Sequence, residues 1–154
     1  MQVVTDSTKS FKVTLPKQFD TQVTPIDSNG ISFAHVSGSK DLQKYLVSDD
    51  VFGISILGAT TDKVATPEAF LQLIKPSPGA CAKKVTETIT TSFGRTLVDR
   101  YDGCGTGGKF AKVIMSAAVK GQNAVVLAFC QGPAPSDGEL FTFAKIVFET
   151  VTPL

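Results

Sequence analysis

The run Ala124-Val125-Val126-Leu127-Ala128-Phe129 is apolar at every position, whichever way alternate residues are counted. A β-strand turns successive side chains to opposite faces. A strand of this composition must be covered on both, so it belongs at the centre of a sheet with a layer packed on each side. Phe110 to Val119 precedes it as a second strand, and Lys120-Gly121-Gln122-Asn123 is the turn of the hairpin between them. With 154 residues, the chain is sized for one domain over 1–154. A domain of that length buries roughly 68–70% of its unfolded surface, enough for a two-sided core.

The other segments supply neighbours for that central strand. Phe11, Val13 and Leu15 alternate with Lys12 and Thr14 until Pro16 ends the strand. Asp27-Ser28-Asn29-Gly30 is a turn, and Ile31, Phe33 and His35 share one face of the strand after it. Val51 to Leu57, Val85 to Thr91 and Phe93 to Tyr101 read as further strands, with Gly94 at the join of the last two. Three short helices are expected. One opens at Ser39-Lys40-Asp41 and carries Leu42, Tyr45 and Leu46. Another starts at Thr66-Pro67-Glu68, a capping threonine followed by proline at the first helical position, and buries Phe70, Leu71 and Ile74. The last is capped by Ser136-Asp137 and places Leu140, Phe143, Ala144 and Val147 on one stripe. Several strands are too close in sequence for helical crossovers, so the class is α+β: an α/β/α sandwich around a largely antiparallel sheet.

Charge removes some functions. Fifteen basic and 14 acidic side chains leave a net charge of +1. No cluster of Lys and Arg is present of the kind that nucleic acid or an anionic membrane surface attracts. No apolar run approaches the roughly 18 residues of a spanning helix, and Met1 to Thr8 lacks the apolar core of a signal peptide. Membrane attachment would therefore have to come from a segment outside this sequence.

Gly103-Cys104-Gly105-Thr106-Gly107-Gly108-Lys109 matches two phosphate-binding patterns, G-x-G-x-x-G and G-x-x-x-x-G-K. The surroundings do not follow. The residue after Lys109 is Phe110, where a magnesium-binding Ser or Thr belongs. The preceding Asp99-Arg100-Tyr101-Asp102 would set two carboxylates beside the phosphates, and no βαβ unit frames the loop. A glycine-rich turn is the better expectation. A cytosolic phosphate- or nucleotide-binding protein using Gly103–Lys109 is the alternative.

Three cysteines allow three pairings and leave one thiol over. Cys130 lies in the most apolar strand and suits a buried free thiol. Cys81 and Cys104 sit in loops at the two ends of the Thr-rich hairpin, which can bring them side by side. Their bridge would close a 24-residue loop, worth about 3.5 kcal/mol of chain entropy. The other possibility is two unpaired surface thiols. A bridge implies an oxidising, extracytoplasmic compartment.

Three pieces of the chain together resemble a known family. They are Thr5-Asp6-Ser7 with Ser10 to Pro16, Cys81 with Gly94-Arg95 and Tyr101 to Gly105, and Glu139 to Val151. The arrangement is similar to the MOG/PsbP-like domains in the extracytoplasmic regions of bacterial serine/threonine kinases and related lipoproteins. The family opening carries a Trp after the Pro; this chain has no Trp, and Phe19 stands nearby. The resemblance implies an α/β/α sandwich, no catalytic residues and no cofactor. It implies a binding, sensing or assembly module that recognises a partner protein or small ligand. A structural subunit of a larger complex, as photosystem assembly proteins of similar fold are, is a further alternative.

The remaining residues carry little enzymatic signal. His35 is the one histidine, and its strand parity makes it a half-buried structural residue. No Gly-x-Ser-x-Gly elbow and no close Cys/His spacing for zinc occur. Asp49-Asp50 reads as a solvated turn. Arg95, Asp99 and Tyr101 share parity and are expected to form a surface ion network. The candidate ligand or partner surface is the region around Cys104, with Arg95, Tyr101, Asp102 and Lys109. The chain is expected to be the soluble part of a longer membrane-attached protein.

Overall fold

The computed structural model describes residues 1–48, 50–77, 79–133 and 137–154. In chain order the elements are β1 (Gln2–Thr5), β2 (Phe11–Leu15), β3 (Asp20–Gln22), β4 (Ile26–Ser28), β5 (Ile31–Ser39), α1 (Leu42–Val47), β6 (Gly53–Thr60) and α2 (Pro67–Ile74). They continue with β7 (Cys81–Thr91), β8 (Gly94–Cys104), β9 (Phe110–Val119), β10 (Ala124–Pro133), α3 (Asp137–Glu149) and β11 (Thr152–Pro153).

The main sheet runs β3-β5-β6-β10-β9-β8-β7, with β4 also paired to β5. Every described strand pair is antiparallel. β10 is central, as its composition requires, between β6 and β9. One face buries Val36, Ile54, Ile56, Val113, Met115, Val126 and Ala128 under α3 and β2. The other buries Phe33, Leu57, Ile114, Val125 and Leu127 under α2. The sandwich is α/β/α, with helices on both sides of an antiparallel sheet.

Local chemistry places the helices. The Thr66 hydroxyl accepts from the Ala69 N–H at 3.1 Å, and Pro67 takes the first helical position. Asp41 caps α1 by accepting from the Lys44 N–H at 3.4 Å. That helix begins later than Ser39, which belongs to β5. The Ser136 cap expected for α3 lies outside the described residues.

A second sheet, β1-β2-β11, was not foreseen. Its outer strands have only four and two residues, too few to show alternation. Its anchor is Asp6, 2% exposed. The Asp6 carboxylate accepts from the backbone N–H groups of Thr8, Ser10 and Phe11 at 3.0, 2.7 and 2.9 Å, and from the Thr8 hydroxyl. Burial pushes this carboxyl up, but the four donors together hold it below the usual aspartate range. Asp6→Ala is expected to remove about 2–3 kcal/mol of stability, because it leaves the backbone donors of a buried turn unpaired. The folded-state value is depressed, so the contribution is present above pH 3.8 and is lost as pH falls through the lowered value. Urea titrations at pH 7 and pH 3 check both statements: the wild-type advantage over Asp6→Ala must shrink at the lower pH.

Candidate functional site

Cys81 and Cys104 are bridged. They are directly opposed residues at the ends of β7 and β8, with Cα atoms 4.1 Å apart, rather than loop residues. Pairing continues from this bridge to the Thr91–Gly94 turn. Cys130 is a free thiol buried in β10.

The glycine loop beside the bridge is a 3-10 turn over Thr106–Gly108 that runs directly into β9. No α-helix follows it, so it lacks the helix N-terminus on which a phosphate loop depends. Gly105 has φ +70°, and a Cβ there would lie 2.6 Å from Asp50 Oδ1. A carboxylate thus packs against the loop where a phosphate would need donors. Asp50 belongs to this contact and not to a free turn; Asp49 lies outside the described residues.

The four residues expected around Cys104 do not gather in one place. Tyr101 is buried at 7% exposure, with the Lys84 ammonium 5.7 Å from its ring centroid. Burial, and then the nearby Asp99 carboxylate, raise its phenol above the ordinary value. Asp102 is half-buried opposite Lys83, and Lys109 is exposed at the end of the turn. Arg95 stands six residues from Tyr101 along β8, about 20 Å at the rise of a strand. Its guanidinium pairs with Glu68 of α2 at 2.9 Å, whereas Asp99 pairs with Lys84 at 3.6 Å. The single ion network expected of Arg95, Asp99 and Tyr101 is therefore two separate pairs. Arg95 was assigned by parity along β8, and parity carries no information about what α2 brings over it.

A more developed site lies elsewhere. Between α1 and the end of α2 is a cleft of about 500 Å³. Its floor is built from β5, β6 and β10 by Ser37, Ser55, Leu57, Phe129 and Gln131. Its walls are Tyr45, Leu46 and Val47 of α1 and Ile74 of α2. Leu46 and Val47 are 46% and 85% exposed, so one wall is an apolar rim facing solvent.

Beneath the floor runs a chain of hydrogen bonds. His35 Nδ1 lies 2.9 Å from the Thr24 carbonyl, and Nε2 is bonded to the Ser37 hydroxyl. Ser37 Oγ is 2.7 Å from Ser55 Oγ, which is 2.8 Å from the Tyr45 hydroxyl. His35 is 1% exposed, not half-buried as strand parity suggested. The reason is local: β3 and β4 pair with the two ends of β5, and the gap between them at Val23–Pro25 is closed by the imidazole. Burial lowers the imidazole pKa, partly offset by the Thr24 carbonyl. Burial likewise raises the Tyr45 phenol. Both side chains are neutral at pH 7.

Tyr45 reaches Ser55 because residue 53 is glycine. A Cβ on Gly53 would sit 2.5 Å from Tyr45 Cδ1, with the ring lying flat against the strand. Sequence reasoning placed His35 and Tyr45 only as structural residues and missed Ser37, Ser55 and Gln131. A signal existed: Ser37 shares the parity of Phe33, and Ser55 that of Leu57, so both hydroxyls fall on a core-facing side.

No family model and no curated protein sequence matches the chain. Among solved structures, the solution structure of cyanobacterial PsbP (CyanoP) from Synechocystis sp. PCC 6803 is similar, with a TM-score of 0.60 at 10% sequence identity. The match covers 99% of this chain and 92% of that one. At this identity the likeness speaks for architecture alone, and the chain has a PsbP-like fold.

Proposed function

We propose that this is a non-catalytic extracytoplasmic binding or assembly domain, and that its recognition site is the cleft between α1 and α2. The observation that carries the proposal is the cleft itself: an apolar, solvent-facing rim above a floor of prearranged hydroxyls. Such a combination of apolar walls and a few oriented polar groups is what ligand sites use. The disulfide supports an oxidising compartment. The PsbP-like fold supports an accessory role rather than a catalytic one. Attachment to a membrane kinase or lipoprotein, with binding biasing the attached part, extends the same proposal. Ser37 and His35 do not argue for a hydrolase. Ser37 is 0% exposed, so a substrate carbonyl cannot reach its oxygen.

A fragment screen followed by backbone amide shifts tests the site. Bound fragments are expected to move the amides of Tyr45, Ser55, Phe129 and Gln131. Gly53→Val should displace Tyr45 and abolish those shifts, at about 1–3 kcal/mol in stability for an overpacked contact. Fragments that gather on Gly103–Lys109, and bind Gly53→Val unchanged, would move the site to the bridge.

A further inference from the structure

We propose that the outer edge of β7 is a pairing surface for a second copy of this chain, joining two main sheets into one. β7 ends the main sheet, and no other described strand pairs with its outer side. Its 11 residues hold one constant register with β8, with no bulge and no proline. Ala82 to Thr86 are all exposed. Such an edge presents a row of backbone N–H and C=O groups that a further strand can satisfy.

The rest of the fold leaves room for that strand. α3 rests on β9 and β10, and α2 on β8, β9 and β10, so the weight of both helical layers lies inward of β7. The Cys81–Cys104 bridge pins one end of β7, and the Thr91–Gly94 turn pins the other. The edge is held extended before anything binds, which reduces the ordering cost of association.

Charge selects the occupant. Lysines on an edge ordinarily discourage pairing. Here Lys84 is met within its own chain by Asp99 at 3.6 Å. Lys83 stands opposite Asp102 but forms no ion pair among the described residues. A second β7 laid antiparallel and centred on Val85 sets Lys83 of each copy opposite Glu87 of the other. Opposed residues point to the same face of a sheet and interact across the strands. Lys83, Val85 and Glu87 share one parity, so two opposite-charge pairs flank a central contact between the two Val85 side chains. Val85 is 57% exposed in the single chain, and this contact covers it. Glu87 already lies 3.4 Å from Arg100 through one oxygen, and a carboxylate has a second oxygen to accept from lysine. The neighbouring registers are worse. Centring on Lys84 opposes two ammoniums, and centring on Thr86 sets each Val85 opposite a carboxylate.

The pairing also closes. The strands at the other sheet edges, β1, β3, β4 and β11, have only two to four residues. With one long edge per chain, the assembly stops at a symmetric pair. β7 lies at the opposite end of the sheet from β5 and β6, so the cleft stays open in the pair.

Sedimentation equilibrium of the disulfide-bonded protein tests this. A contact made by two strands falls below the roughly 1,200 Å² of a standard interface, so the wild type is expected to pass from monomer to dimer as its concentration rises to about 1 mM. Val85→Lys, at an exposed position, should leave the thermal transition unchanged and weaken dimerisation about tenfold or more, because it opposes two ammoniums at the centre. Lys83→Glu and Glu87→Lys should each weaken it to a similar degree, since each turns two attractive pairs into repulsive ones. An equimolar mixture of those two variants should dimerise again, because opposite charges then face each other across both pairs. Wild type that stays monomeric throughout would overturn a second copy as the occupant. A dimer that all three single variants leave intact would overturn β7 as its interface. A mixture no tighter than either variant alone would overturn the register centred on Val85.

Discussion

Replacing Cys81 and Cys104 by serine is expected to lower stability by about 3.5 kcal/mol, the chain-entropy value for a loop of this length. For a domain of this size the loss corresponds to a melting temperature about 10 °C lower. The effect should arise in the unfolded chain, since the β7–β8 ladder pairs nine further residues of β7 without help from the bridge. The Cα atoms of the two residues stay directly opposed whether or not sulfur joins them. The double variant should therefore keep its strand content and lose only its margin. A melting temperature within 1 °C of the wild type would show that the bridge closes no loop in the unfolded state. A non-reducing peptide map makes the complementary check. Protein kept under oxidising conditions should give one Cys81–Cys104 linked peptide, with Cys130 alkylated only after unfolding because it is fully buried.

Phe70→Ala is expected to cost about 3–5 kcal/mol, the range for deleting a fully buried aromatic ring. Phe70 is 0% exposed and stacks on Phe33 with ring centroids 5.3 Å apart. The loss should be selective as well as large. α2 has only eight residues, well short of the roughly 12–15 at which an isolated helix begins to hold in water. Its position depends on Phe70 and Leu71 pressing into the sheet, and Ile74 one turn on is a wall of the cleft. Urea unfolding should show the stability loss, and fragment binding at the cleft should weaken in the fraction still folded. Ile146→Ala, at a 56% exposed site on α3 across the sheet, should change stability by no more than about 0.5 kcal/mol. A Phe70→Ala protein as stable as Ile146→Ala would mean that α2 is not anchored through this ring.

The legible parts of the fold were those written in adjacent residues. Thr66-Pro67 marked the start of α2, Lys120 to Asn123 marked a hairpin, and the two-sided apolar run of β10 demanded helices above and below. The cysteine pair followed from the hairpin between its members. What was not legible was assembled from distant pieces. β1 and β11 are recognisable as strands only because β2 lies between them. The cleft takes single polar residues from β5, β6 and β10 and a tyrosine from α1, and no window of sequence contains them together. His35 looked ordinary because its partner is a backbone carbonyl of Thr24, whose side chain says nothing about it. Arg95 stands apart from the residues near Cys104 for a related reason: alternation along β8 puts Arg95 and Tyr101 on one face but does not measure the length of strand between them.

The strand order has a consequence for how the chain reaches this structure. From β7 to β10 each strand lies beside its predecessor, so this meander can zip up turn by turn. β6 must instead find β10, which is made only after α2, β7, β8 and β9. Until then the Gly53–Thr60 strand has β5 on one side and nothing on the other. Closing so long a loop is slow relative to local pairing. The second half of the chain is thus the natural nucleus, and the first half, emerging earlier from the ribosome, waits with an open edge for a template that has yet to be synthesised.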